Sequence, residues 1–542
     1  MESYTFSLTA LGLFVVVLGV RRYLTRISVR HVPGPPSESF VFGNLADVHQ
    51  NEAGETDFKW QDLYGGVVRF KALFGEDRLL VSDPKALQYI YQTSGYHFPK
   101  IPEKQEMAKI MTGTGILWAE ADVHKRHRKV MLPGFGSHEA KSYFPIFLHH
   151  ADQISMKWKD IIMTSADQSA VLDMPDWASR AMLDAIGEAA FDYSFGAMED
   201  VDNELSKAYY NLLADTLGAV NRSKAALIMQ NLWAYLPLSV LNYVTSNSKS
   251  PIFTHARATE RVANRVAKEL VDAKSEAHLQ GKGAKDIMSL LVRANASEDP
   301  RTQLSNAELY AQMRTLMLAG HETTASTLSW ALLELSKNQE VQRRLRAEIW
   351  EKEEEIGGRE LRPADVDSMP YLNAVLKETL RFHPVSPLNH RMSGRDDVLP
   401  LSKPIMGTNG EEIHKLPIPK GMRLVLSIAA YNRNKDVFGE DADVFNPDRW
   451  LSGDLTSSVN VGVYSNLLTF AGGIRACIGF RFALVELQAF LAEVVGKFEF
   501  YPTPQSEKIR REPSGVMIPT ITGESEKGAQ LPLLVRVAAK DD

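Results

Sequence analysis

Cysteine is almost absent from this sequence. Its 542 residues include a single one, Cys477. Because a disulfide needs two thiols, an intramolecular disulfide is excluded, and the composition fits a reducing compartment better than secretion. Any chemistry that depends on a thiolate must therefore use Cys477.

The sequence also lacks a strong charge bias. Lysine and arginine number 61 and aspartate and glutamate 67, so the formal charge of −6 leaves no electrostatic footprint for nucleic acid. There is no internal repeat, no Walker loop and no glycine-rich strand–turn–helix fingerprint of a fused flavin domain. We therefore expect no nucleic-acid partner.

Only one stretch is apolar enough to suggest a membrane segment. Residues 4–20 carry no charge and are followed by Arg21, Arg22, Arg26 and Arg30. We expect residues 1–30 to be a single-pass transmembrane helix with a basic flank that stays cytosolic. A cleaved secretory signal is the alternative, although its positive charge would precede the apolar run. The proline-rich residues 31–36 should form a stiff hinge, and residues 37–542 a cytosolic domain.

The remaining sequence predicts a mainly α-helical fold with small β-sheets. Residues 65–81 are typical of a β-hairpin, residues 83–91 of a short helix and residues 422–427 of a strand. Longer helices are expected near 137–165, 172–195, 203–220, 252–280, 305–337 and 338–355, with another from Pro370.

The most specific pattern surrounds the cysteine. Phe470, Gly473, Arg475, Cys477 and Gly479 fall on the spacing F-x-x-G-x-R-x-C-x-G, just ahead of an apolar helix. The helix dipole and its free N–H groups favour a thiolate, and the glycines would let the backbone approach a flat cofactor. Arg475 is placed to meet an anionic group. A lone cysteine without such surroundings is more often a buried small hydrophobe.

This loop resembles the heme-binding signature of the cytochrome P-450 family, and further motifs along nearly the whole chain support the resemblance. It implies the cytochrome P-450 fold behind the N-terminal transmembrane helix. It also implies heme b (iron protoporphyrin IX) as cofactor, with Cys477 as the axial ligand of the iron. The other pattern positions in the loop would contact the cofactor: Phe470, Gly473, Arg475 and Gly479.

A second motif, AGHETT at residues 319–324, lies in the middle of the expected helix 305–337. A glycine inside a helix costs about 1 kcal/mol relative to alanine, so we expect Gly320 to make room for a flat ring and dioxygen. Thr323 can donate to the carbonyl four residues earlier. By itself the motif would rather indicate a buried helix with a tolerated glycine and a back-bonded threonine. The resemblance makes Glu322 and Thr323 the catalytic acid–alcohol pair that delivers protons for O–O cleavage.

Two further segments resemble structural motifs of the family. Glu378 and Arg381 share a helix face in KETLR, like the family's E-x-x-R helix, and Arg449 lies in FNPDRW, like its partner stretch. On a surface, such a pair would stabilise a helix by only about 0.2–0.5 kcal/mol. The resemblance implies that the three residues form a cluster that locks the cysteine loop and takes no part in the chemistry.

The basic residues 124–129 (HKRHRK) are ordinarily interpreted as a solvated helix face. The family commonly has tryptophan and arginine here, both reaching a heme propionate. The resemblance therefore implies that His124, in the tryptophan position, and Arg128 contact a propionate, and that Arg391 does the same. A docking patch for an acidic reductase would then consist of Lys125, Arg126 and Lys129.

The function implied by the resemblance is that of an NADPH-dependent monooxygenase. It would insert one atom of O2 into a lipophilic small molecule, with electrons from the membrane-bound NADPH–cytochrome P-450 reductase. Two other classes stay open: a heme-thiolate isomerase or dehydratase acting on peroxides, which needs no reductase, and a non-enzymatic heme sensor or membrane scaffold.

The expected pocket walls are residues 101–117, 318–319 and 385–388. They are mostly apolar, which suggests a lipophilic substrate. The anchor, the segment ADVHKRHRKVMLP and the single cysteine resemble fungal members of the family. The expected location is the endoplasmic reticulum membrane, and the expected role is secondary metabolism of terpenoids, sterols or aromatics, or oxidation of xenobiotics.

Overall fold

The computed structural model describes residues 27–199, 204, 224–280, 286–295, 303–453 and 459–540. The expected membrane segment at 4–20 and nearly all of the expected helix near 203–220 lie outside these residues. Within the described ranges, no helix combines the length and the apolar character needed to cross a bilayer.

Helices make up most of the described fold, and the predicted class of a mainly helical body with small sheets is confirmed. In chain order the helices are α1 Leu45–Gln50, α2 Glu55–Tyr64, α3 Pro84–Gln88, α4 Pro102–Thr112, α5 Ala121–Met131, α6 Ser137–Ser142, α7 Phe144–Met163, α8 Met174–Phe191, α9 Lys224–Leu232, α10 Leu238–Asn247, α11 Pro251–Leu279, α12 Ile287–Asn295, α13 Asn306–Lys337, α14 Gln339–Glu355, α15 Pro363–Asp367, α16 Pro370–Phe382, α17 Ile428–Asn432, α18 Lys435–Phe438 and α19 Phe480–Lys497.

The strands form small separate sheets. They are β1 Val67–Lys71, β2 Asp77–Val81, β3 Ser169–Asp173, β4 Leu388–Met392, β5 Asp397–Met406, β6 Glu412–Ile418, β7 Arg423–Ser427, β8 Phe498–Tyr501, β9 Ile509–Ser514, β10 Val516–Ile521 and β11 Pro532–Val537. One sheet has the order β1-β2-β7-β4, in which only β2 and β7 are parallel. The others pair β3-β11-β8, β5-β6 and β9-β10. The β1–β2 hairpin is the one predicted at residues 65–81.

The proline-rich segment packs on the first strand. The N–H of Arg69 donates to the Pro33 carbonyl at 2.9 Å, and its Nε donates to the Val32 carbonyl at 3.1 Å. A Cβ on Gly34 would lie 1.8 Å from the Arg69 carbonyl oxygen, so only glycine fits there. The start of the described chain is therefore fixed to the domain.

The 32-residue helix α13 runs through the core. Its start is fixed by a capping box, in which the Glu308 N–H donates to the Ser305 hydroxyl and the Ser305 N–H donates back to the Glu308 carboxylate. The helix packs against α8, α11, α16 and α19. Most of its length from Leu309 onward is buried, but Ala319 is exposed and Glu322 and Thr323 are half-buried.

The single helix predicted near residues 137–165 is wrong, because the chain forms α6 and α7 with Tyr143 between them. Pro145 lies in the first turn of α7. A proline there tolerates its missing N–H, but inside a continuous helix it would remove a hydrogen bond and clash with the preceding turn. The break follows from that one residue.

Gly320 allows α13 to approach α8 closely. A Cβ on Gly320 would lie 2.7 Å from both Cδ1 and Cγ1 of Ile186. We expected Gly320 to make room for a cofactor. On the side where a Cβ would point, that expectation is wrong. That space is filled by the neighbouring helix.

We expect Gly320→Ala to lower the thermal unfolding midpoint. Overpacking a core costs about 1–3 kcal/mol, which offsets the gain of about 1 kcal/mol from better helix propensity. With Ile186→Ala already present, Gly320→Ala should raise the midpoint, because the clash is gone. Thermal unfolding of the full chain and its single and double variants measures this, and equal effects in both backgrounds would contradict the packing explanation.

Candidate active site

Cys477 lies in the loop between a short turn at Gly473–Arg475 and α19. Its N–H donates to the Phe470 carbonyl at 2.8 Å. Burial raises the pKa of the thiol, whereas the Gly479 N–H and the Arg128 charge lower it. The side chain nevertheless remains accessible. The sulfur therefore lies inside the fold but is still accessible. A thiol that binds a ligand within the fold needs both properties.

Gly473 and Gly479, the two glycines of the loop motif, differ in how much space a side chain would have. Gly473 has a φ of +62°, and a Cβ there would lie 1.9 Å from the Tyr91 carbonyl oxygen. Backbone of Tyr91 therefore already requires glycine at this position, and the expected cofactor contact of Gly473 stays a prediction. A Cβ on Gly479 would meet only the Phe135 ring at 3.6 Å, an ordinary contact. Protein packing does not by itself require glycine at that position.

Cationic side chains gather beside the loop, and their charges act on one another: Lys100, Arg128, Arg391 and Arg475. Glu120 is the carboxylate among them in the described structure. It forms an ion pair with Arg475 and lies 3.6 Å from Lys100 Nζ. The cluster therefore keeps an excess of positive charge, which suits a ligand with two carboxylates.

Each arginine of the cluster is held in place by protein groups. Arg128 Nη1 donates to the Ala476 carbonyl at 2.6 Å, which ties α5 to the cysteine loop. Arg475 stacks on the Tyr96 ring with 4.5 Å between guanidinium and centroid, and its buried Nε has no hydrogen-bond partner among the described residues. Arg391 is buried. An orphaned donor of this kind is satisfied when an anion binds.

His124 is a buried neutral imidazole. Burial, followed by the charges of Lys100, Arg475 and Arg128, lowers its pKa to about 4. Its Nδ1 lies 2.7 Å from the Tyr96 hydroxyl oxygen. It can therefore offer a hydrogen bond to an anion at neutral pH, but no charge.

The accessible part of α13 carries the acid–alcohol motif. The Thr323 hydroxyl donates to the Ala319 carbonyl at 2.8 Å, as the sequence predicts. Glu322 Oε1 lies 3.3 Å from His321 Nε2, and His321 Nδ1 lies 2.6 Å from the Met317 carbonyl oxygen. A carbonyl only accepts, so Nδ1 carries a proton. Neither His321 Nε2 nor Glu322 Oε1 has a hydrogen-bond partner among the described residues, so both buried atoms are available to a further polar group.

Glu378 sits at the centre of a fully buried charge network. Its Oε1 lies 2.7 Å from Arg381 Nη2 and 3.1 Å from Arg449 Nε, and its Oε2 accepts from Trp450 Nε1 at 2.9 Å. Arg381 also donates to three backbone carbonyls, of Asn432, Ala442 and Val444. The network thus fixes α16 to the segment that precedes the cysteine loop.

Two polar residues that the motifs did not indicate connect this network to the loop. The Thr469 hydroxyl donates to the Leu380 carbonyl at 2.6 Å, and the Leu468 N–H donates to Asn432 Oδ1 at 3.0 Å. Asn432 Nδ2 donates to the Thr469 hydroxyl oxygen at 2.9 Å. Lys100 and Glu120 were missed as well. Of these residues, only Glu120 could have been found from the sequence, because it directly precedes the basic helix α5.

The expected docking patch is smaller than predicted. Lys125 and Lys129 are exposed. Arg126 instead donates to the Glu308 carboxylate on α13 and to the Gln303 carbonyl. The prediction that Arg126 faces outward as a free surface charge is therefore wrong, because the capping carboxylate of α13 engages it.

Comparisons with known proteins agree with this site. The sequence model of the cytochrome P-450 family matches residues 33–525. Cytochrome P-450 monooxygenase 205 of Postia placenta is 31% identical over 94% of this chain and 93% of its own length. Monooxygenase 91 of the same fungus is 33% identical over 94% and 96%. Cytochrome P-450 monooxygenase claO of Ampulloclitocybe clavipes is 30% identical over 93% and 92%.

The chain belongs to the cytochrome P-450 family. The family uses a heme-thiolate cofactor, and its fungal relatives are named as monooxygenases, so the expected enzyme class is confirmed. The donors found here fit such a cofactor. One accessible thiol and a surplus of cations beside it match an iron centre and a pair of propionates.

Glu378→Ala is expected to yield protein that does not retain heme. The change leaves two buried guanidinium groups without their carboxylate, which costs about 3–5 kcal/mol. The fraction of protein carrying heme, from the ratio of Soret to protein absorbance, measures this. Glu340→Ala is the matched control, since Glu340 forms an exposed ion pair with Arg343 at the same i, i+3 spacing. Normal heme content in Glu378→Ala would refute the structural role.

Proposed function

We propose that the protein inserts one atom of O2 into a lipophilic small molecule, using heme b and electrons that pass from NADPH through a separate reductase. The observation that carries this proposal is the joint presence of an accessible thiol, an excess of cations beside it and an open polar stretch on the central helix.

The chain's own residues have distinct tasks in this proposal. Cys477 would ligate the iron, and heme propionates would be bound by Arg128, Arg391 and Arg475, with His124 as a neutral donor. When bound, the heme supplies the activation of O2 and the transfer of oxygen, and a thiolate ligand favours O–O cleavage.

Proton delivery falls to Glu322 and Thr323. The Thr323 hydroxyl bonds to the Ala319 carbonyl at 2.8 Å and can turn from it towards the open side. Glu322 Oε1 lies 3.3 Å from His321 Nε2, and neither atom has a hydrogen-bond partner among the described residues. The carboxyl group would restore the proton that the hydroxyl gives away.

A separate reductase fits both sequence and surface. The sequence carries no motif of a fused flavin domain. Lys125 and Lys129 are exposed on α5, the helix whose Arg128 reaches the cysteine loop. Exposed cations on that helix would attract an acidic partner to the side of the molecule nearest the cofactor.

Membrane attachment is supported by an apolar patch on the domain surface. Phe74 contacts Tyr235 with 6.0 Å between ring centroids. Phe40 and the segment around Tyr235 add further exposed apolar side chains: Phe40, Met229, Leu236, Leu238 and Tyr243. Exposed apolar surface of this kind suits a lipid bilayer. With residues 4–20 as a single-pass anchor, we infer that the enzyme lies on the cytosolic side of the endoplasmic reticulum membrane.

The chemistry of the substrate follows from the expected pocket walls. They are mostly apolar, which favours terpenoids, sterols, aromatics or other lipophilic molecules. The relatives come from fungi. We infer a role in fungal secondary metabolism or in the oxidation of xenobiotics.

Thr323→Ala is expected to uncouple the reaction. Without the hydroxyl, NADPH and O2 are still consumed, but hydrogen peroxide replaces most of the product, because a general acid contributes roughly 10²–10⁴-fold. The measurement is the ratio of product to NADPH oxidised after co-expression with the reductase, for any terpenoid, sterol or aromatic that a substrate panel shows to be oxidised.

Thr327→Ala is the matched control. The Thr327 hydroxyl donates to the Thr323 carbonyl at 2.8 Å in the same way, but it is buried. Its loss should leave the ratio unchanged. Unchanged coupling in Thr323→Ala would contradict the role of Thr323 in proton delivery. Product formation without NADPH would indicate an isomerase or dehydratase instead.

A further inference from the structure

The chain that follows α4 lies directly on the central helix α13. A Cβ on Gly115 would lie 2.5 Å from the Thr315 hydroxyl oxygen and 2.8 Å from the Ala311 carbonyl oxygen, so only glycine fits there. The next residue, Ile116, donates its N–H to Gln312 Oε1 at 3.0 Å. We call α4 together with residues 113–116 the α4 wall.

The α4 wall adjoins the accessible stretch of α13. Residues four apart share one face of a helix, so Ala311, Thr315 and Ala319 follow one another along α13. Ala311 and Thr315 are buried where Gly115 lies on them, whereas Ala319, one turn further, is exposed. The Thr323 hydroxyl bonds to the Ala319 carbonyl. The wall therefore borders the open space over Ala319, where the proposed reaction takes place.

A buried arginine fastens α4 to the central helix. Arg314 is 2% exposed, and its Nη2 donates to the Ile110 and Met111 carbonyls at 3.2 and 3.0 Å. Both carbonyls lie in the last turn of α4, where they have no partner within the helix. Arg314 Nη1 also lies 2.8 Å from Glu260 Oε1 of α11. One guanidinium therefore holds α4 against both α11 and α13.

The chain after α4 is fixed by a second buried side chain. Gln312 is fully buried, and its Oε1 accepts from the Ile116 N–H. Its Nε2 lies 3.0 Å from His127 Nδ1 of α5, and because an amide nitrogen only donates, this ring nitrogen accepts. The α4 wall is thus fastened at two places, which fixes how far it stands from α13.

Loss of Arg314 would act on the wall more than on its acidic partner. The Glu260 side chain is 42% exposed, so water can solvate it when the guanidinium is absent. The hydrogen bond from Arg314 to the Met111 carbonyl, in contrast, is buried. A backbone carbonyl that is buried without a partner is unfavourable. An apolar side chain in place of Arg314 would therefore drive the end of α4 away from α13 until water reaches its carbonyls.

We propose that Arg314 is a positioning residue that sets the width of the substrate pocket, because it holds the α4 wall against α13 beside Ala319. While the wall is fastened, narrow molecules enter and wide ones are excluded. The inference rests on the proposed function, since it names what limits the size of the substrate at that same site.

The test compares two ligands that differ mainly in width. 1-Benzylimidazole and 1-tritylimidazole bind iron through the same ring nitrogen, but the second carries two additional phenyl rings. Titration of the purified full-length holoprotein, followed by the shift of the Soret band, gives a dissociation constant for each. We expect Arg314→Met to lower the constant of 1-tritylimidazole about tenfold and to leave that of 1-benzylimidazole unchanged. Arg314→Lys keeps one donor for the carbonyls and should show a smaller shift in the same direction.

Hydrogen exchange reports on the wall directly. The backbone amides of residues 102–116 should exchange about tenfold faster in Arg314→Met. Arg346→Met is the matched control, because Arg346 is a buried arginine of α14 that donates to the Val495 and Phe498 carbonyls at the end of α19. Its loss should lower the stability of the protein but change neither the exchange of the wall nor the ratio of the two dissociation constants.

The outcomes separate the two levels of the proposal. Unchanged exchange in the wall, an equal change in the binding of both ligands, or the same result in Arg346→Met would overturn the role of Arg314 and leave the monooxygenase proposal intact. If Arg314→Met does not fold, Arg314→Lys decides by the same criteria. If neither imidazole shifts the Soret band of the unchanged protein although exchange of the wall depends on Arg314, the wall stands and the proposed heme site fails.

Discussion

The position of the chain's only thiol depends on a carboxylate that has no part in the proposed reaction. Glu378 holds two guanidinium groups, an indole N–H and a backbone N–H without any solvent contact. Hydrogen bonds of Asn432 and Thr469 connect this network to the segment before Cys477. Because a buried carboxylate without partners is costly, the network keeps a single arrangement, and its hydrogen bonds fix the loop in one position.

A surplus of positive charge lies beside the cysteine loop. Four cations there share one carboxylate, and Arg475 keeps a buried donor free. Burial keeps the nearby imidazole of His124 neutral. Such a site is electrostatically incomplete by itself, and an anion of the right shape completes it.

The sequence predicted much of the fold and the site where the signal is local. The spacing around Cys477, the β1–β2 hairpin and the back-bond from Thr323 to Ala319 all depend on residues close together in the chain. The sheet β3-β11-β8 was not predicted, because its short strands pair with segments far away in the chain. The hairpins β5–β6 and β9–β10 are local, and the sequence analysis missed them.

The contacts that the sequence did not predict are made between residues that only folding brings together. Nothing near Gly320 shows that Ile186 fills the space beside it, and nothing in the run HKRHRK shows that Glu308 engages Arg126. Lys100 carries no motif at all, yet folding brings it to Glu120 and the arginines. Contacts of this kind depend on the packing of α5, α8 and α13.

The most direct test concerns the bond between Cys477 and iron. Reduced, carbon-monoxide-treated protein should show a thiolate-type Soret band, and heme-loaded Cys477→His protein should lose that band while still binding heme. A heme-replete variant that kept the thiolate-type band would contradict the assignment, because the chain has no second sulfur of this kind to replace it.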